Sequence, residues 1–249
     1  HLESQPENIE LLEMGAELAQ VRGRVAEADR LLARALRIAP ENAALWRRRA
    51  VTSHRRLSVT TAREAADKAL ELTQERGGLG HALSLSAHAH VLAEEQKLEE
   101  AKAAYRESLQ LHPQCAPALR GLGQLLMQLG RVEEATQCYE KLKEIAPLQG
   151  WSQLIHAREV PEDVDVLNRM EQAARRPSLE GPVQSNMLFT LASAWEKKSD
   201  YDKAWQFVTE ANAATKAHLS YRPEVHRNKV EREIARFSRE FMASREGYG

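Results

Sequence analysis

At 249 residues, with 35 Lys and Arg against 36 Asp and Glu, the chain carries a formal charge of −1. That length accommodates one or two ordinary domains or one elongated array, and the near-neutral balance argues against a dedicated nucleic-acid binder. Charged residues at 29% and apolar residues at 43% exclude a disordered tail and a membrane bundle. No window approaches the roughly 18 uncharged apolar residues that a spanning helix needs, so no membrane partner is expected. The 37 alanines, with many Leu, Glu and Arg, favour helix almost everywhere. Two cysteines, Cys115 and Cys138, cannot build a disulfide framework and suit a reducing, cytoplasmic location. The first residue is His1, and Ser4-Gln5-Pro6-Glu7 shows no signal-peptide pattern; the chain reads as part of a longer protein.

Small and apolar residues recur at one spacing. Leu12 and Trp46, Ala28 and Ala62, Ala35 and Ala69, Ala101 and Ala135, and Pro113 and Pro147 each stand 34 residues apart. A fixed period of that length marks a stack of helix pairs. In chain order, residues 9–42 supply Leu12, Ala16, a turn at Gly23-Arg24, Ala28, Leu32, Ala35 and Pro40. Residues 43–76 supply Trp46, Ala50, Ala62, Ala66 and Ala69, with Gln74 in place of the proline. Arg76-Gly77-Gly78-Leu79-Gly80 then adds five residues, and its glycines predict a bend or flexible join over 77–81. Residues 82–115 carry Leu85, Ala89, Ala101, Tyr105 and Pro113. Residues 116–149 carry Leu119, Leu122-Gly123, a turn at Gly130-Arg131, Ala135, Tyr139 and Pro147. Segment 150–184 keeps the length but loses the pattern, with one helix near Trp151–Arg158 cut short by Pro161 and a second over Asp163–Arg175. A breaker-rich loop, Arg176–Pro182, leads into residues 185–218, which keep Leu188, Leu191-Ala192, Trp195, Asp200-Tyr201, Ala204 and Ala211. Pro223 opens a last helix, 223–242, whose stripe of Val230, Ile234, Phe237 and Phe241 is expected to cap the stack against Trp205, Val208 and Ala211.

These positions resemble the tetratricopeptide repeat, which has a large residue at its fourth position and Leu-Gly at its seventh and eighth. It continues with Ala at twenty, an aromatic or large residue at twenty-four, Ala at twenty-seven and Pro at thirty-two. The resemblance implies an all-α fold, a right-handed α-solenoid of tetratricopeptide helix pairs with a C-terminal capping helix. Physically, small residues at the eighth and twentieth positions let the helix axes approach, and larger ones fill the layer between units.

Catalytic machinery is not apparent: the sequence has no Gly-rich phosphate loop, HExxH, CxxC or nucleophile elbow. No enzyme activity, cofactor or metal is expected within these residues. His81, His88 and His90 are the nearest approach to a metal cluster, but His88 and His90 diverge by about 200° on a helix and read better as groove or interior histidines. Cys138 reads as a small buried residue, Cys115 as a turn residue open to solvent, and Trp46 and Trp195 as packing.

In this family the first helix of each pair lines a concave face where partners dock. Placed on that face, Arg47, Arg48, Arg55 and Arg56 form a basic patch, Glu10, Glu13 and Glu17 an acidic one, and Ser86, His90, Arg120, Gln124 and Gln128 a polar continuation. The groove residues so implied are Arg47, Arg48, Arg55, Arg56, His90, Arg120 and Gln124, and they suit an acidic or mixed-charge peptide. Solvated surface charge is the plainer reading of the same residues. The positions that hold a C-terminal carboxylate in chaperone-binding relatives are here Glu13, Glu17 and Arg48, without asparagine, which argues against that role.

The last hundred residues, with Leu188–Trp195, Asp200-Tyr201-Asp202-Lys203-Ala204-Trp205, Ala211-Asn212, Tyr221 and Ile234–Phe241, resemble the stretch preceding the catalytic domain of bacterial tetratricopeptide-repeat sulfotransferases. That resemblance implies an accessory domain, with a PxRSGT-type loop for the sulfate donor lying beyond Gly249. The alternative is a stand-alone adaptor in a multiprotein assembly.

Overall fold

The computed structural model describes residues 8–55, 58–75, 77–218 and 223–237, with Phe241 and Ser244; of His54, Arg55 and His218 it describes the backbone alone. The described residues form helices and no strand: α1 (Ile9–Val21), α2 (Val25–Ile38), α3 (Ala43–Arg55), α4 (Val59–Gln74), α5 (Gly78–Glu94), α6 (Leu98–Leu111), α7 (Ala116–Gln128), α8 (Val132–Ile145), α9 (Pro147–His156), α10 (Val164–Ala174), α11 (Gly181–Lys197), α12 (Tyr201–His218) and α13 (Pro223–Arg236). Odd-numbered helices from α1 to α11 are the first members (A) of their pairs and the even-numbered helices the second (B). Each A helix from α3 onward packs on the pair before it, α5 on α3 and α4, α7 on α5 and α6, α11 on α9 and α10. The result is an α-solenoid. No helix among the described residues is long and apolar enough to cross a membrane.

One local device turns α1, α5, α7, α9 and α11 into the B helices that follow them; the turn after α3 lies partly outside the described residues. Gly23, Gln96, Gly130, Arg158 and Ser199 all adopt left-handed backbone, with φ between 63° and 73°. At the first, the Arg24 amide donates to the Ala19 carbonyl at 2.7 Å and the Gly23 amide to the Gln20 carbonyl at 3.0 Å; the same pair of bonds recurs at the other four turns. This Schellman arrangement satisfies the last carbonyls of the A helix while reversing the chain.

Helix-to-helix approach follows the small residues. Ala16, Ala28, Ala50, Ala89, Ala101 and Ala135 have no exposed surface, and Ala62 has 1%. Tyr139 lies on Gly123 of its own pair, and Tyr105 on Gly121 of the next: a β-carbon at either glycine would overlap the phenol ring. Between α4 and the end of α5, the Arg63 Nε–H donates to a Glu95 carboxylate oxygen at 2.9 Å while its Nη2 binds the other oxygen, and Lys97 Nζ adds a contact at 3.1 Å. These cations hold the Glu95 carboxyl down at about 2.

Three expectations are revised. Residues 78–80 are not a flexible join but the first turn of α5, which at 17 residues is longer than the 13-residue α1, α3 and α7; Gly77 at φ 59° supplies its entry. The helix expected near Trp151–Arg158 begins earlier: Pro147 opens α9, where a missing N–H costs nothing. The last helix forms over Pro223–Arg236 of the expected 223–242, with 238–240 and 242 outside the described residues, but no residue of α13 is buried and Trp205 remains 72% exposed, so the expected cap is not formed. Pro40, Pro113 and Pro147 stand at the thirty-second position of their units, and α2, α6 and α8 stop two residues earlier; where Gln74 and Lys216 stand instead, α4 runs on to Gln74 and α12 to His218.

The solenoid also meets itself. Arg22 Nε lies 3.8 Å from a carboxylate oxygen of Glu180, the residue before α11, and Pro182 in its first turn packs beside Gly23, so the first A–B turn touches the start of α11.

Substituting Ala135→Leu should lower the thermal unfolding midpoint by several degrees, since overpacking a closed contact costs about 1–3 kcal/mol; an unchanged midpoint would contradict the tight approach. The Glu95 carboxyl is depressed in the folded state, so its contribution is complete above its ordinary value of 4.5 and is lost as pH falls through about 2. Urea unfolding of wild type and Glu95→Gln should differ at neutral pH and converge in that acid window. A difference that persists at low pH would separate Glu95 from the effect.

Candidate functional site

The A helices place three matched stripes on the concave side. Leu83, Ser86, Ala87 and His90 of α5 and Pro117, Arg120, Gly121 and Gln124 of α7 line one cavity at the spacing i, i+3, i+4, i+7, each residue 34 apart from its counterpart. Arg47, Arg48 and Val51 of α3 take the corresponding positions one unit earlier, Gln20 of α1 closes one end, and Tyr105 of α6 forms part of the lining. The cavity measures about 290 Å³. Helical periodicity and repeat periodicity together produce this: one puts four residues on a face, the other superposes the faces.

Five of the residues marked in the sequence, Arg47, Arg48, His90, Arg120 and Gln124, therefore meet in one cavity. Arg55 has only its backbone described, and Arg56 lies outside the described residues. Gln128 does not line the cavity. Of the acidic patch, Glu17 reaches it by pairing with Arg48, at 2.6 Å from Nη2. Arg49 turns out of the groove, its Nε 3.5 Å from Asp29 on α2, where the Ser53 hydroxyl also donates at 3.2 Å.

The arginines are not equivalent. Arg48 has its carboxylate; Arg47, half-buried, has no carboxylate within ion-pair distance among the described residues, and neither has the more exposed Arg120. Burial first, and then the neighbouring Arg48 charge, push the Arg47 pKa down from its ordinary value. It remains a cation, in a place that disfavours charge until an anion arrives. Tyr105 beside it is 2% exposed, and burial raises its phenol pKa despite the opposing Arg120 charge, so it stays a neutral hydroxyl. Gln124 donates to Gln153 on α9 at 3.3 Å and Gln20 to Thr52 at 2.6 Å, tying neighbouring A helices along the groove. Val51, Leu83 and Pro117 give the cavity an apolar wall. The whole can bind an anionic group flanked by an aliphatic one.

Other marked residues are structural. His81 Nδ1 lies 3.3 Å from the Thr73 hydroxyl and His88 Nδ1 2.9 Å from Asp67, while His90 lines the cavity; no metal-ligating group of three exists among the described residues. Cys115, expected in solvent, is 1% exposed, because its turn is folded under α7 as the residue before its first turn. Cys138 is half-buried, and burial raises its thiol pKa. Trp46 donates its indole N–H to the Pro40 carbonyl at 2.7 Å, and Lys203 Nζ sits 3.9 Å from the Trp195 ring centroid. The sequence did not single out Val51, Leu83, Tyr105 or Gly121 as lining; the signal available was that Val51 shares its repeat position with His90, and that Leu83 and Gly121 lie at helical spacing from His90 and Gln124 on their own helices.

Residues 92–155 match the family model described as tetratricopeptide repeat. A protein of Aquifex aeolicus (strain VF5), described as uncharacterized, is 26% identical over 159 residues, covering 64% of this chain and 21% of that protein; the chain spans about a fifth of that relative's length. Among solved structures, YrrB, described as a TPR protein with an unusual peptide-binding site, shares 13% identity over 87% of this chain and 91% of that one, with a TM-score of 0.41. MamA shares 17% identity over 88% of this chain and 100% of that one, with a TM-score of 0.42.

Proposed function

We propose that this chain is a non-catalytic, cytoplasmic scaffold of tetratricopeptide type that holds an acidic peptide segment of a partner protein in the cavity between α3, α5 and α7. The observation that carries this reading is Arg47: a half-buried guanidinium with no carboxylate at ion-pair distance among the described residues, lining a cavity beside Arg120 and an apolar wall. A carboxylate placed there gains a charge-assisted, bidentate contact and relieves the repulsion between Arg47 and Arg48. The stripe spacing gives an extended peptide successive sites along the groove.

The finer reading is that the scaffold is the accessory domain of a larger sulfotransferase. It is supported by the resemblance of Leu188–Trp195, Asp200–Trp205 and Ile234–Phe241 to the stretch before that catalytic domain, and by the greater length of the Aquifex relative. Reading the encoded residues past Gly249 for a PxRSGT-type loop, and assaying the longer protein for sulfate transfer, tests it; a gene that stops near Gly249 leaves the stand-alone adaptor.

Calorimetry with short acidic, neutral and basic peptides carrying an aliphatic residue tests the groove. Acidic peptides should bind best and weaken as salt rises, because exposed charges are screened beyond about 8–10 Å at physiological ionic strength. Arg47→Glu should reduce that affinity at least about tenfold, some 1.4 kcal/mol, whereas Arg37→Glu, on an exposed position of α2, should not. Equal affinities in Arg47→Glu and the original would remove the assignment.

A further inference from the structure

The cavity between α3, α5 and α7 presents more hydrogen-bond donors than a carboxylate can use. Ser86 of α5 and Tyr105 of α6 both line it, and they are 3% and 2% exposed. Neither hydroxyl has a hydrogen-bond partner among the described residues. A buried hydroxyl left without a partner costs free energy, and a ligand in the cavity is placed to supply one. The Tyr105 ring lies along Gly121, where a β-carbon would meet the phenol oxygen, so that oxygen is held at the α7 wall. Burial keeps the phenol protonated, and a neutral phenol donates. The cations gather at the same place. Arg120 is close enough to act on Tyr105, and Arg47 is close enough to be acted on by Cys115, the residue before α7. The lining includes the guanidiniums of Arg47, Arg48 and Arg120 and, among the described residues, no carboxylate. Glu17 reaches in to neutralise Arg48, which leaves the charges of Arg47 and Arg120. Glu94, the carboxylate whose charge acts on Tyr105, lies outside the lining.

We propose that the group this cavity receives is a phosphate monoester, the phosphorylated side chain of a partner segment, in preference to a carboxylate. The inference rests on the peptide-binding reading of the same cavity and names the chemistry of its anion. A carboxylate offers two oxygens with about four lone-pair positions. Two guanidinium forks exhaust them, and both hydroxyls and one positive charge then stay unmatched. A phosphate monoester carries close to two negative charges near neutral pH and three strong acceptor oxygens. Its tetrahedral oxygens diverge toward different walls, so Arg47 of α3, Arg120 of α7, Ser86 and Tyr105 can be satisfied together. Guanidinium forks suit that geometry better than ammonium groups would. Val51, Leu83 and Pro117 then face the side chain beside the phosphorylated residue.

Calorimetry on the whole chain compares one short capped peptide of alanine and leucine carrying phosphoserine, glutamate, two adjacent glutamates or serine at its centre, with inorganic phosphate as a further ligand. The phosphoserine peptide should bind at least about tenfold more tightly than either glutamate form, and more tightly than inorganic phosphate. Ser86→Ala and Tyr105→Phe each delete one hydroxyl. Each should lower the preference for phosphoserine over glutamate about tenfold, because hydrogen bonds to a charged acceptor are the strong kind. Thermal midpoints measured alongside separate a lost contact from a lost fold, and Ser86→Ala carries the test if Tyr105→Phe disturbs the packing on Gly121. If paired glutamates match phosphoserine and both peptides weaken in Arg47→Glu, the inference falls while the acidic-peptide reading stands. If none of the peptides binds, both fall together. Inorganic phosphate as tight as the phosphoserine peptide would mark a site for the free ion. A preference untouched by both hydroxyl variants would put the phosphate elsewhere, and either result overturns the inference.

Discussion

Where the two helices of a pair cross, the contact is made by residues no larger than alanine, and the distance this sets between axes governs the rest of the stack. Ala16 with Ala28 and Ala89 with Ala101 are fully buried, each pair within one cluster. At the fourth unit glycine takes the place of one alanine, and the space released is filled by the Tyr139 ring. Interiors are packed at crystal density, so a larger side chain at these positions has nowhere to go except between the axes. Leucines and tyrosines then fill the layer to the next pair: Leu32, Tyr105, Leu119 and Leu142 are each at most 2% exposed. Close helices and a thick interlayer are the two halves of one arrangement, and the curvature that exposes a concave face is its consequence.

Much of this was legible in the sequence because it rests on residue size. A position that admits only Ala or Gly leaves a mark at each regular repeat; the mark is missing from 150–184, where Arg169 stands at the twentieth position. The turns were legible only in part. Gly23 and Gly130 announced left-handed backbone, but Gln96, Arg158 and Ser199 adopt the same conformation without the residue that favours it. There the two Schellman hydrogen bonds and the packing of the flanking helices outweigh a local preference of about 1 kcal/mol. The glycines at 78 and 80 misled in the other direction: conformational freedom permits a bend, but α5 continues through them because Ser84 and Leu85 are already buried against neighbours. Helix formation at α13 was legible from its stripe.

The candidate groove shows a similar division. Repeat register brought Arg47, Arg48, His90, Arg120 and Gln124 to one face, which a sequence can express. It could not rank them. Arg47 and Arg48 are neighbours in sequence with opposite fates, one paired with Glu17 from α1 and the other left facing a cavity. That difference arises from contacts between units, at a distance of 31 residues for the Arg48 pair. Charge patterns identify a surface; only the geometry tells which charges are already spent on the fold.

Stiffness decides what such a groove can recognise. The Arg22–Glu180 pair is a third or more exposed on both sides and adds little stability of its own. Its significance is positional, since it joins an A–B turn to a B–A loop, which lie on opposite edges of a solenoid. Those edges meet only when the superhelix has nearly completed a turn, and Pro182 against Gly23 prevents them from sliding closer. That contact limits compression of the coil, and the Gln124–Gln153 and Gln20–Thr52 bonds tie neighbouring A helices along the concave side. Three stripes from three helices therefore hold a fixed separation around the cavity, and a bound segment need not supply the cost of ordering them. A groove built this way discriminates by where a carboxylate falls relative to an aliphatic side chain. A looser coil, free to adjust its pitch, would accept any acidic segment.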